Sequence, residues 1–279
     1  MPKTNYLFIL ILTTAAALAA EPVKFDAEWQ ETYPVDGDAP ALYVRDVWGP
    51  VTVRNGPPGS IQVSVKTRFS APDEQRLERT RSIFAIDVET SAESVALRVG
   101  DTDYGFRREN LCRGCKALHA FDIRVPAGAS VDIGSVNEGI VRVDGVRGRV
   151  SASNVNGPVQ VSAAAACDSV ESVNGDVELE FEQGPLLQCS VETINGDIRV
   201  SVPGGSDIDF AVDLNNGRIV SEFDVSPFAL PAVVERRESG DGRSYRVSRA
   251  SGVRIGRGGP LFSVASLNGD LTIAEISKH

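Results

Sequence analysis

The chain has 279 residues, with 28 Lys and Arg against 38 Asp and Glu and a formal net charge of −10. That excess of acid excludes nucleic acid and an anionic membrane surface as main partners, since both are held by clustered Lys and Arg. Only two histidines are present, one of them the terminal His279, so histidine-based catalysis has almost nothing to work with.

Lys3, the apolar Tyr6 to Leu12 and the small residues Ala15 to Ala20 read as a secretory signal peptide over 1–19. Ala17-Leu18-Ala19 fits the A-x-A cleavage pattern. A retained anchor is the weaker reading, because Thr13 and Thr14 interrupt a run already short for spanning. No later stretch approaches ~20 apolar residues, so no transmembrane segment is expected after signal cleavage. The expected location is the periplasm, with the extracellular space or cell surface as alternatives. Four cysteines in an exported chain predict disulfides.

Residues 20–279 read as a single domain. Phe25, Trp29 and Tyr33 are placed to cover the open end of a core. A first coil lies near 42–53, where Val44, Val47, Trp48, Gly49, Val51 and Val53 set a spacing that returns later with Asn in place of Trp48. An excursion follows over 54–120. It holds a turn at Asn55 to Gly59, a strand over Ile61 to Val65, and one short surface helix opened by Ser70 as N-cap with Leu77 nearly alone as its apolar residue. Strand-like runs at Ile83 to Val88 and Val95 to Val99 come next, then a polar loop leading into Cys112-Arg113-Gly114-Cys115.

Regular coils occupy 121–222. Asn137, Asn156, Asn174, Asn195 and Asn216 are spaced by 19, 18, 21 and 21 residues, and each lies just before a Gly and an apolar-x-apolar pair, degenerate at Asn216. A second excursion covers 223–254, and a final coil over 255–275 carries Asn268. Asn-Gly between apolar runs is also a hairpin signal. Against hairpins, the apolar pair before each Asn is spaced by three, as in Val170 and Val173, which breaks alternation and implies a bend. The recurrence of residue types at one phase predicts stacked coils. Asn forms a ladder between coils ~4.8 Å apart, Gly supplies a positive φ at the corner, and inward Val, Ile and Leu form aliphatic columns. The predicted fold is all-β, a single-stranded parallel β-solenoid (β-helix) with coils of ~20 residues.

The Asn-Gly-Asp-Val/Ile-x-Val/Leu copies, the run Phe121-Asp122-Ile123-Arg124-Val125-Pro126-Ala127-Gly128 and the later Ile255-Gly256-Arg257-Gly258-Gly259 resemble a family of exported bacterial proteins known as putative adhesins, a domain of unknown function. The resemblance covers roughly Val44 to Ile273. It implies a β-solenoid of the cell envelope and supplies no catalytic residues.

The remaining chemistry is sparse. Cys112-x-x-Cys115 lacks the following His of a haem attachment site, as Lys116 stands there, and lacks the α/β core of a redox pair. A disulfide clamping the loop is expected. Cys167 and Cys189 fall seven and six residues before their Asn, at nearly one phase on consecutive coils, and predict a rung-to-rung disulfide. Asp176, Asp197 and Asp270 could form a carboxylate column for Ca²⁺, but Pro158 and Arg218 break it, and turn preference explains Asp there. A catalytic triad could use only His119. No catalytic residue, metal site or cofactor is assigned. The expected function is a non-enzymatic adhesin-like scaffold or interaction module whose partner is an envelope protein or glycan. The alternative is a polysaccharide lyase or hydrolase, which would need patterned acids in a groove.

Overall fold

The computed structural model describes residues 21–100, 113–137, 139–183, 187–230, 233–239, 242–248 and 251–276, with no side chains described over 231–251. The signal-peptide segment and Cys112 lie outside the described residues. Among the described residues no helix is long and apolar enough to cross a membrane.

Each Asn-Gly phrase folds as two short strands with a corner between them. β12 (Ser169–Asn174) ends on its Asn, and β13 (Val177–Phe181) begins past Gly175-Asp176. The strands before the corner join one sheet of 11 strands, and those after it join another of 10. In the first sheet β8 (Ser130–Asn137), β10 (Val150–Asn156), β12 and β14 (Cys189–Asn195) pair in parallel and in register, so that Asn137, Asn156, Asn174 and Asn195 lie opposite one another. In the second, β9 (Val141–Asp144), β11 (Val159–Ala164), β13 and β15 (Ile198–Pro203) do the same. Parallel pairing buries the inner faces as aliphatic columns: Val141, Val159, Val177 and Ile198 have no exposed surface.

At both ends the stacking order departs from chain order. The final coil, β22 (Leu261–Asn268) and β23 (Leu271–Ile276), pairs with β14 and β15 on one side. On the other it pairs with β16 (Ile208–Asn216) and β17 (Ile219–Ser221), which precede it in the chain. At the opposite end, β2 (Ala41–Arg45) sits between β8 and β6 (Ser94–Val99), and β3 (Val51–Asn55) between β9 and β7 (Lys116–Val125). Thus part of 54–120 supplies an outer parallel layer.

Antiparallel strands close the stack. β4 (Ser60–Ala71) pairs with β7, β1 (Val23–Pro34) with β4, and β5 (Ile86–Thr90) with β6. At the far end β21 (Ser251–Ile255) pairs with β16, and β18 (Val225–Phe228) with β21, while β19 (Val233–Ser239) and β20 (Gly242–Ser248) form a separate antiparallel hairpin. Among the described residues the fold is all-β, with one short helix and two large mixed sheets. A single parallel solenoid with coils in chain order does not describe it.

The helix α1 (Glu74–Ile83) is capped by Asp73, whose carboxylate accepts from the Arg76 N–H at 2.8 Å, and not by Ser70, the last residue but one of β4. It buries Leu77 and Thr80. Phe25, Trp29 and Tyr33, four residues apart on one face of β1, pack partly buried against the end of the core. Trp48 bridges to Asn137 and packs edge-on against Phe84 at 5.2 Å, ending the asparagine column with an aromatic.

Candidate functional site

Six asparagines form one hydrogen-bonded column. Each side-chain amide donates to the Oδ1 of the next: Asn156 to Asn137 (2.8 Å), Asn174 to Asn156 (3.0 Å), Asn195 to Asn174 (2.9 Å), Asn268 to Asn195 (2.9 Å) and Asn216 to Asn268 (2.9 Å). The column follows the stacking order, with Asn268 between Asn195 and Asn216. Beside it runs a glycine column in the same order. A Cβ on Gly175 would run into the Gly157 carbonyl, one on Gly196 into that of Gly175, and one on Gly269 into that of Gly196. Close backbone approach is common to the column, whereas a positive φ is found at Gly139 (152°), Gly196 (159°) and Gly269 (158°) but not at Gly157 or Gly175.

The pattern before each Asn also differs from the expected bend. Alternation persists: Val170 is buried, Glu171 exposed, Ser172 buried and Val173 half-exposed. The inner position two before Asn is polar except at Leu214, before Asn216, and in three coils it serves the neighbouring corner. Asn154 donates to the Gly139 carbonyl (2.9 Å), Ser172 to that of Gly157 (3.0 Å) and Thr193 to that of Gly175 (3.1 Å). Ser135 and Ser266, at the same inner position, leave their hydroxyls without a partner.

The residue just before each Asn therefore points out. Register sets Val136, Val155, Val173, Ile194 and Leu267 side by side as an aliphatic column along the outer face of the 11-stranded sheet. Val155, Ile194 and Leu267 are 36%, 43% and 44% exposed. A groove of about 520 Å³ runs over four of the five, Val155 to Leu267, and is also lined by Glu171, Glu192 and Asp213. Those acids form the adjoining column, interrupted by Ala265. On the far side of the ladder lie Asp176, Asp197 and Asp270.

Each Asp in that second column accepts a backbone N–H from the next coil: Asp176 from Asp197 (2.9 Å), Asp197 from Asp270 (2.8 Å) and Asp270 from Arg218 (3.0 Å). The Arg218 backbone and side chain hold the Asp270 carboxyl below the usual carboxylate range. Among the described residues no cluster of three or more His, Cys, Asp or Glu is arranged to hold a metal ion. Cys167 and Cys189 are disulfide-bonded across neighbouring coils, with Cα atoms 5.3 Å apart. Cys115 is disulfide-bonded and nearly buried.

Likeness to solved structures is remote. A chain from Clostridium sporogenes ATCC 15579, a putative cell adhesion protein, matches at 10% identity and a TM-score of 0.41 over 90% of this chain and 100% of that one. A putative adhesin from Bacteroides fragilis NCTC 9343 matches at 12% identity and a TM-score of 0.39 over 90% and 97%. At such distance neither carries a conclusion about this chain. No family model matches it, and no curated protein does.

Two buried titratable groups lie at the other end of the molecule. His119 on β7 has its Nδ1 3.0 Å from Thr67 Oγ1, and its ring sits between Phe69 and Phe121. Burial lowers its pKa to about 4, the Phe84 backbone acting in the opposite sense, which keeps the ring neutral at ordinary pH. Asp46, one coil from Ser135 in the inner polar column, accepts from the Val47 N–H at 2.8 Å and leaves its other oxygen unpaired. Burial raises its pKa to about 7, against the lowering effect of the Val47 and Trp48 backbone. Nearby, a pocket of about 660 Å³ is lined by Phe25, Trp29, Tyr33 and His119 together with Glu31 and Glu78.

Proposed function

We propose that this chain is an exported, non-enzymatic interaction module, adhesin-like in role, built as one domain over 20–279 around a solenoid-like parallel middle. It presents the asparagine-bearing sheet as its binding wall. The observation that carries the reading is the outward aliphatic column Val136, Val155, Val173, Ile194 and Leu267. Stacking repeats the same exposed apolar position coil after coil, and contiguous exposed apolar surface marks interaction sites. Export is supported by the leader-like start and by the Cys167–Cys189 disulfide, which persists in oxidising compartments. The partner class is an envelope protein or glycan, met in the periplasm or outside the cell.

The test is capture from envelope extracts by wild type and by an Ile194→Ser/Leu267→Ser double variant. Partners lost by the variant with an unchanged melting temperature support the wall; identical capture would sink it. A second reading, a carbohydrate-active enzyme, has one observation in its favour: Glu31 and Glu78 line the same aromatic-bearing pocket. A glycan-hydrolysis screen decides it. Turnover lost on Glu31→Gln or Glu78→Gln would replace the binding-module reading.

A further inference from the structure

We infer that the aliphatic column receives a cationic amphipathic α-helix of a partner protein, laid along the stacking axis. This rests on the wall being the binding surface and adds the chemistry of what it binds.

The first argument is charge. Glu171, Glu192 and Asp213 flank the groove on one side, and Asp176 and Asp197 stand beyond the ladder on the other. Among the described residues none of these five is ion-paired. Elsewhere outward acids find partners on a neighbouring strand, as Asp132 does in Arg45 on this same sheet and Glu178 in Gln160 on the opposite one. There Arg142 donates to Gln160 and Gln160 to Glu178, so neighbouring coils satisfy one another with mixed groups. Acid without a cation partner on both sides of an apolar stripe complements a segment with an apolar face and Lys or Arg on both flanks.

The second argument is spacing. The apolar side chains repeat with the strand separation, ~4.8 Å, along a direction perpendicular to the strands. A helix places apolar residues on one face every ~5.4 Å. Over the four intervals from Val136 to Leu267 the mismatch accumulates to only ~2.4 Å, within the reach of flexible side chains. An extended segment repeats same-face residues every ~6.7 Å, so it slips by more than a full rung over the same length. The helix-in-groove mode, with anchors at i, i+3, i+4 and i+7, fits the wall and the extended mode does not.

The test uses the full mature chain and three labelled peptides of about 16 residues. The first has Leu at helical spacing flanked by Lys, the second has the same composition in strict alternation, and the third has Glu in place of Lys. The expected result is binding of the first peptide alone, seen by fluorescence anisotropy, with a gain in helical circular dichroism. Affinity should fall at least tenfold in Ile194→Ser/Leu267→Ser, and its salt dependence should flatten in Glu171→Gln/Glu192→Gln. All four positions are exposed, and a melting curve on each variant verifies the fold. Equal binding of the alternating or acidic peptide, no binding of the first, or binding indifferent to the Ile194/Leu267 pair would overturn the inference. If the peptides fail while envelope capture still depends on Ile194 and Leu267, the wall stands and only the helix is lost. If capture is also indifferent, the wall falls with it.

Discussion

Single side chains decide how the corners hold together. Thr193 and Ser266 occupy the same inner position, yet only Thr193 reaches a carbonyl. Thr193→Val should therefore lower stability by about 1–2 kcal/mol, the cost of orphaning a buried acceptor. Ser266→Ala should be neutral or slightly stabilising, because its hydroxyl is already buried without a partner. Chemical denaturation of the two variants measures the contrast. Asp46 and His119 make opposite contributions to pH dependence. The folded pKa of Asp46 is raised from 3.8 to about 7, so burial of its charge costs stability increasingly as pH climbs through that range. His119 is lowered from 6.5 to about 4, so its cost grows as pH falls through that window. Asp46→Asn, which can still accept from Val47, should gain melting temperature relative to wild type between pH 4 and pH 7, by at most ~3–4 kcal/mol in free energy. A difference that shrinks with rising pH would contradict the assignment.

At the scale of the element, the corner is a glycine-on-glycine contact beside an asparagine ladder. Gly196→Ala places a methyl against the Gly175 backbone and should cost about 2–3 kcal/mol, as overpacking does when only backbone can yield. Thermal melts would show it, and an unchanged midpoint would mean the coils are spaced more widely than described. Much of this corner was legible in the sequence. The asparagines stand in one column, and Cys167 and Cys189 are joined. The outward aliphatic column was not legible. Val170 and Val173, three apart, read as two inward residues across a bend, whereas Val170 and Ser172 point inward and Val173 points out. Hydrophobicity alone cannot show a serine turned inward to a neighbour's carbonyl. Helix capping was misread for a related reason: Ser70 and Asp73 both suit an N-cap, and strand pairing extends β4 through Ala71.

For the whole molecule, the repeat that makes the fold recognisable also hides its order. Every coil offers the same Asn-Gly corner and the same strand register, so any coil can stack on any other. Nothing local to Asn216 or Asn268 announces that the later coil lies inside the earlier one. Long-range ion pairs help fix the observed order. Arg257 bonds to Asp207, and Arg254 meets Asp209 at 2.6 and 2.8 Å, clamping the turn before the final coil to the start of β16. The antiparallel strands at both ends were likewise invisible to a search for one period, because alternation in β1 and β4 is compatible with either direction. What the stack achieves is an outer face on which one apolar position recurs between acidic columns. The most direct test is methyl NMR during titration with the cationic helical peptide. Perturbations should concentrate on the methyls of Val136, Val155, Val173, Ile194 and Leu267. Shifts centred instead on the residues around the aromatic pocket near His119, or scattered over both sheets, would contradict the assignment of this wall as the binding surface.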